Sequence, residues 1–196
     1  MTATSPLPPV ASPEAGTVSL YENDRRIAGY VRLERTRFAL LGGWVVSTAE
    51  LDVKQALERH AHHHAWHASL WEQHLPRRSG YEAPAGGLGG GDLHACLTSL
   101  VAEELPDTVK RLAGAYRVVA ARAVATYAEH LSTTSVVSDP AVARTCRLVL
   151  ADQLDDWREG EALLQSLLDS DDRIDRAAHR QAELEKLSQK HLAAEP

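Results

Sequence analysis

The stretch that decides the fold is LERHAHHHAWHASLWEQHLP, residues 57–76. Positions at steps of three and four residues form one stripe along it, made of Leu57, Ala61, His64, Ala68, Trp71 and Leu75. This spacing is typical of an amphipathic helix. Six of the chain's ten histidines lie in the stretch, and His60 and His67 flank His64 on the stripe. The sequence therefore predicts a long helix that turns three imidazoles toward a protein core.

The preceding helix is expected to bring a carboxylate to the same level. Glu34 occupies one position of an inward stripe that otherwise consists of Ile27, Val31, Phe38, Leu41 and Val45. Ser47 and Glu50 have the spacing of a capping box, which predicts a short turn and the start of the second helix. Two helices joined by so short a turn are antiparallel neighbours. Counting outward from the turn, we expect Glu34 to face His60 and His64.

Capping and turn signals indicate four long helices and one short one. The predicted helices run from Ser19 to the turn at Ser47, from there to Leu75, and over 93–105, 107–131 and 140–168. For residues 18–31 a short hairpin is the alternative, because valine and tyrosine suit strands. The second connection is long, and its residues 76–92 are glycine-rich. Short first and third connections with a long second one predict an all-α fold, an antiparallel four-helix bundle whose crossover contains a short extra helix.

The predicted domain organisation has three parts. Residues 1–18 are rich in proline and small residues, which predicts a disordered tail. Residues 19–168 form the helical bundle domain. Residues 169–196 are highly charged and are expected to form a C-terminal helix or tail.

Composition narrows the classes of partner. The 196 residues are 44% hydrophobic and 24% charged, as in an ordinary globular protein, and the formal net charge is -6. The chain has no basic block and no long apolar run, so we expect neither a nucleic-acid partner nor a membrane span. Two cysteines and the lack of a secretory signal predict a cytoplasmic location. The excess of arginine over lysine is typical of a GC-rich bacterial genome.

The order of these features resembles the ferritin-like superfamily. The points of similarity lie within residues 19–168: an inward Glu34 on the first helix, histidines at mid-height on the second, and a long crossover before two more helices. Members with a di-iron site carry a glutamate on each of two helices and a Glu-x-x-His motif on each of the others. Glu34 matches one of these glutamates. The resemblance implies a ferritin-like fold and a site for iron or another transition metal.

The leading hypothesis for function is a small metal-dependent oxidoreductase or oxygenase that acts on a small organic molecule in the bundle core. The candidate metal ligands are Glu34, His60, His64, His67 and Asp156. A mixed imidazole and carboxylate set suits zinc, iron or copper. The candidate catalytic residues are Glu34, His64 and Tyr116, and Gln153 would orient the ligand together with Tyr116. Tyr127 lies on the same inward stripe and is assigned to packing.

Two alternatives belong to other classes. In the first, the protein is a metal-free binding or interaction protein whose polar layer fixes the register of the helices and which pairs with itself as a homodimer. In the second, the protein is an enzyme without a cofactor, in which His64 and Glu34 act as an acid–base pair.

Overall fold

The computed structural model describes residues 18–76, 91–102, 107–135, 137 and 139–192. All regular elements in these residues are helical, so the predicted all-α class is confirmed for this part of the chain. The elements are α1 (Leu20–Val45), α2 (Leu51–Glu72), α3 (Gly91–Val101), α4 (Thr108–Leu112), a π-helical segment (Ala113–Ala120), α5 (Ala121–Thr133), α6 (Pro140–Leu167) and α7 (Asp171–Leu192). Nearly all of the predicted N-terminal tail, and most of the glycine-rich connection, lies outside the described residues.

Helix α1 begins where the first capping signal predicts. The Ser19 hydroxyl accepts a hydrogen bond of 3.1 Å from the backbone N–H of Glu22. This bond satisfies one of the free N–H groups of the first helical turn. Since residues 20–45 are helical throughout, the hairpin alternative for residues 18–31 is wrong.

The turn between α1 and α2 is built differently from the predicted capping box. Glu50 precedes α2, but its side chain makes no capping hydrogen bond. It accepts instead from the Thr108 hydroxyl at 2.7 Å, and the Ser47 hydroxyl accepts from Arg111 Nη1 at 2.8 Å. Both side chains therefore attach the turn to α4 and do not cap the N-terminus of α2.

One residue assigned to the inward stripe of α1 points to solvent. Phe38 is 47% exposed, whereas its neighbour Arg37 is only 4% exposed. The prediction for Phe38 was wrong because hydrophobicity alone gave no reason to bury an arginine. Arg37 is buried because its guanidinium binds Gln153 of α6 in the interior.

Residues 108–133 form one continuous helical rod with a widened middle. Asp107 caps its start by accepting from the backbone N–H of Lys110 at 3.2 Å. The backbone stays helical at Leu112 and Ala121, so α4, the π-helical segment and α5 follow one another without a break. Every residue of the π-helical segment except Arg117 is buried, since α3, α6 and α7 all contact it.

Contacts between side chains fix the relative directions of the helices around the core. The pairs His60–Glu159 and His67–Asp152 show that α2 and α6 are antiparallel, and His74, two residues beyond α2, continues the series with Thr145. The pairs between α2 and the rod of residues 108–133 show a parallel arrangement, and they are His60–Tyr116 and Trp71–Tyr127.

Helix α7 packs against α3 and the π-helical segment. Ala177 and Leu184 of α7 are buried, and the Leu184 carbonyl accepts from the Cys96 thiol at 3.4 Å. A β-carbon on Gly114 would lie 2.5 Å from Leu100 Cδ2, so glycine permits this close approach. None of the described helices combines the length and the apolar character needed to cross a lipid bilayer.

Candidate metal centre

Helix α2 directs two pairs of histidines toward its neighbours on successive turns. His60 and His63 form one pair, and His64 and His67 form the next. Residues three apart lie on the same face of a helix, so the members of each pair point in similar directions. His60, His64 and His67 are buried, as the stripe predicts, while His63 is partly exposed.

The Glu34 carboxylate lies at the centre of the polar layer and is fully buried. Its Oε2 faces Nδ1 of His64 at 2.6 Å, and its Oε1 accepts from the Tyr127 hydroxyl at 2.5 Å. The Arg37 guanidinium lies 3.8 Å from the same Oε1. A carboxylate buried without partners costs several kcal/mol, and these donors offset that cost.

Gln153 of α6 closes the layer from the opposite side. Its Oε1 accepts from Arg37 Nη1 at 2.5 Å. This bond directs the amide nitrogen toward the imidazoles, where it lies 3.4 Å from Nδ1 of both His64 and His67. One amide thus faces both rings of the second histidine pair.

His67 connects the buried carboxylate to the edge of the core. Its Nδ1 lies 3.5 Å from Oε2 of Glu34, and its Nε2 lies 3.0 Å from Oδ2 of Asp152. The Asp152 side chain is about one-third exposed, at 34%. His67 is therefore oriented by carboxylates on both sides of its ring.

The charges of this layer follow from burial and from the partners of each group. Burial lowers the pKa of His64 to about 3, and the charge of Arg37 adds to the effect despite the nearby Glu34. Burial also disfavours the charge on His67, but hydrogen bonds to Asp152 and Glu34 outweigh it and raise its pKa to about 9. Burial raises the pKa of Glu34, yet His64, His67 and Arg37 together hold that pKa well below its usual value. At neutral pH and without a metal ion, Glu34 is ionised, His64 is neutral and His67 is protonated, so an ion bound to His67 would have to displace one proton from it.

The donor atoms of Glu34, His64 and His67 converge closely enough to hold one ion. One ligand atom from each residue lies within 4.8 Å of the other two, and all three residues are buried. Among the described residues His64 Nε2 has no hydrogen-bond partner although it is buried. The histidine nitrogens that face Glu34 Oε2 are Nδ1 of His64 and Nδ1 of His67, so an ion beside Glu34 would take these two lone pairs and each ring would keep its proton on Nε2. The residues present therefore fit a single transition-metal ion.

Two of the predicted ligands lie outside this group. His60 contacts Tyr116, Glu159 and Asp156 instead of Glu34. Asp156 is buried and contacts His60 and His63. Histidines four residues apart on a helix can share one ion, but here the His60 ring is directed to Tyr116 and Glu159 and the His64 ring to Glu34. The structure thus divides the predicted set of five ligands into two clusters.

The tyrosine that reaches Glu34 is Tyr127, which the sequence argument assigned to packing. Tyr116, the candidate catalytic residue, instead has its hydroxyl 2.7 Å from Nδ1 of His60. The two tyrosines lie about three helical turns apart, so both face the same side of the rod. Helical periodicity could not decide which of them lies level with Glu34.

Arg37 was not predicted as part of this layer, and Asp156 rather than Asp152 was the acidic residue of α6 chosen as a candidate ligand. Arg37 had one available signal, since it lies three residues after Glu34 and so shares its helix face. Asp152 precedes the inward Gln153 in a run of acidic residues, and nothing in that run distinguishes it from a solvated helix face.

Comparison of the chain with models of known protein families, with curated proteins and with solved structures finds no match. Inference about function therefore depends on the geometry of the polar layer and on the chemistry of its residues.

Proposed function

We propose that this protein binds one transition-metal ion through Glu34, His64 and His67 and acts as a small metal-dependent oxidoreductase on an organic substrate. The observation that supports the proposal most directly is the convergence of these three buried side chains within 4.8 Å.

Two histidines and one carboxylate favour iron(II) among the metals that such a site could take. This ligand set is typical of non-haem iron oxygenases, in which positions on the metal remain open. When bound, the ion would supply redox chemistry and polarise a substrate. We propose iron(II) as the bound ion, and zinc as a redox-inactive ion that could replace it.

The residues of the chain would hold and orient the ligands. Tyr127 anchors one oxygen of Glu34, which leaves the other oxygen directed at the imidazoles. Asp152 holds the far nitrogen of His67. Gln153, whose amide faces both imidazoles, is placed to orient a small molecule beside them. Burial of the whole layer would exclude water from the site.

We further propose that α1, α2, the rod of residues 108–133 and α6 form a four-helix bundle of the ferritin-like kind. The antiparallel α2 and α6, the parallel α2 and rod, and the long connection before the rod support this topology. In it, His64-x-x-His67 and Gln153-x-x-Asp156 have the spacing of the Glu-x-x-His motifs. Three of these four positions hold a residue other than the one the motif requires, which supports one ion rather than two.

Metal content of the tag-free protein tests the proposal. Elemental mass spectrometry before and after anaerobic loading with Fe(II) should find an equivalent of metal that Glu34→Ala and His64→Ala lose. His62→Ala is the matched control, because His62 lies on the exposed side of the same helix and should leave this metal in place. A protein that takes up no metal under any loading condition would refute the proposal.

A cofactor-free acid–base pair is the second candidate, and the 2.6 Å contact between His64 and Glu34 favours it. It predicts turnover that survives chelation and is lost in His64→Gln. A purely structural polar layer predicts neither metal uptake nor turnover, and in that case His64→Leu should only lower the free energy of unfolding, because the buried Glu34 loses a partner.

A further inference from the structure

A second cluster of potential ligands lies between α2 and α6, one turn along α2 from the buried layer. His60 and His63 come from α2, and Asp156 and Glu159 come from α6. Each pair is three residues apart and therefore shares a helix face. The two faces meet, so two imidazoles oppose two carboxylates.

The donor atoms of this cluster follow one another at the spacing of metal ligands. Oε2 of Glu159 lies 3.0 Å from Nε2 of His60, which lies 3.4 Å from Oδ1 of Asp156, which lies 2.9 Å from Nδ1 of His63. Ligands bound tetrahedrally to Zn²⁺ at bond lengths of about 2.0–2.1 Å lie about 3.3 Å apart. The four donor atoms lie in a row, so the partly exposed His63 and Glu159 side chains would have to turn inward to surround an ion.

Tyr116 fixes the orientation of the His60 ring through the nitrogen that faces away from the cluster. The His60 ring is buried, and its Nδ1 lies 2.7 Å from the Tyr116 hydroxyl. The Tyr116 ring in turn rests directly on Gly160, where a β-carbon would lie 2.2 Å from Cδ1 of the ring. Outer groups of this kind orient a metal-binding histidine and fix which nitrogen faces the ion. A tyrosine hydroxyl can donate or accept, so it suits His60 with or without a metal on Nε2.

The cluster is open to solvent on one side. The His63 and Glu159 side chains are 38% and 43% exposed, whereas His60 and Asp156 are buried. Two carboxylates give the cluster negative charge, and Arg59 contacts Glu159 from its exposed side.

We propose that His60, His63, Asp156 and Glu159 form a second, solvent-accessible site for a divalent cation of the zinc class. The site shares no residue with the buried group of Glu34, His64 and His67. It does not depend on the function proposed for that group.

Titration of the metal-stripped full-length protein with Zn²⁺ alone, followed by calorimetry, tests this inference. We expect His63→Ala and Glu159→Gln each to weaken one binding event by about tenfold or more. The matched control is His62→Ala, which alters the exposed histidine next to His63 and should leave that event unchanged. Glu34→Gln should also leave it unchanged, because Glu34 belongs to the other group.

The variants separate the two proposals. The surface site is supported if the Glu34→Gln variant still binds Zn²⁺ and if that binding is lost only when His63 or Glu159 is substituted. This result would hold even if the buried group takes no metal. If His63→Ala and Glu159→Gln both bind Zn²⁺ like the parent protein, the inference is overturned. Because both side chains are partly exposed, circular dichroism of the variants should match that of the parent and show that they fold.

Discussion

Tyr127 and Glu34 are joined by a hydrogen bond of 2.5 Å although 93 residues separate them in the sequence. Both residues are fully buried, so water cannot replace the tyrosine as a donor. The hydroxyl occupies Oε1 of the carboxylate while His64 faces Oε2. This contact therefore connects α5 to α1 at the centre of the polar layer.

Replacing Tyr127 with phenylalanine should lower the free energy of unfolding by about 1–3 kcal/mol, because a buried ionised carboxylate loses a donor while the ring remains. Urea unfolding measures the change. Tyr21→Phe is the control, since Tyr21 is 69% exposed, and we expect it to stay within about 0.5 kcal/mol of the parent. Equal stabilities for the two variants would contradict a stabilising role for the hydroxyl.

Replacing Gly160 with alanine should destabilise the protein by about 1–3 kcal/mol, because the new methyl group would overlap the Tyr116 ring. Gly43→Ala is the matched control on α1. A β-carbon there meets nothing within 4 Å, so we expect a gain of about 0.5–1 kcal/mol from the better helix former. Thermal unfolding of both variants measures this difference, and a stabilised Gly160→Ala would contradict the packing described.

His130 should make the protein less stable in acid. Burial lowers its pKa to about 4, and Arg26 lowers it further while Glu22 opposes the shift. Since the unfolded chain binds this proton near pH 6.5, the stability contributed above pH 6.5 is lost as the pH falls toward 4. The loss amounts to about 3 kcal/mol at most.

Unfolding free energies measured between pH 4 and 7 test this, with His130→Gln expected to flatten the curve. His94→Gln is the control, because His94 is exposed and should leave the curve unchanged. A His130→Gln curve as steep as that of the parent would assign the acid sensitivity to other groups.

Replacing Asp152 with alanine should weaken metal binding at the buried group by about 10–100-fold, since His67 loses the carboxylate that orients its Nε2. The control is Asp155→Ala, three residues along the same helix, whose side chain is 75% exposed and pairs with Arg158. Competition with a chelator of known affinity measures both constants. Equal losses in the two variants would indicate a general effect of negative charge rather than orientation of His67.

The parts of this architecture that depend on local chemistry were predictable. The spacing of apolar residues gave the helices, and Ser19 and Asp139 form the caps that their positions indicate. The burial of His60, His64 and His67 follows from the stripe on α2. These features depend on residues within a few turns of one another, which sequence periodicity reports directly.

The partners of the buried groups were harder to predict, because they depend on how far one helix slides along another. An error of one turn along α2 moves His60 from Glu34 to Glu159, and an error of about three turns along the rod exchanges Tyr116 for Tyr127. Arg37 is buried only because Gln153 of a distant helix receives it. The π-helical segment adds to the difficulty, since hydrogen bonds to the fifth residue leave no mark in the apolar pattern.

The long sequence separations within the polar layer also bear on the order of events in folding. Its contacts join residues 30, 93 and 116 positions apart, and closing such loops is costly before the helices have docked. The charged partners must also lose their water together, which requires all of them to be present. The layer should therefore form after the transition state, so that substitutions within it accelerate unfolding and leave the rate of folding nearly unchanged. Glu34 and its partners would then act chiefly by slowing the unfolding of the folded chain.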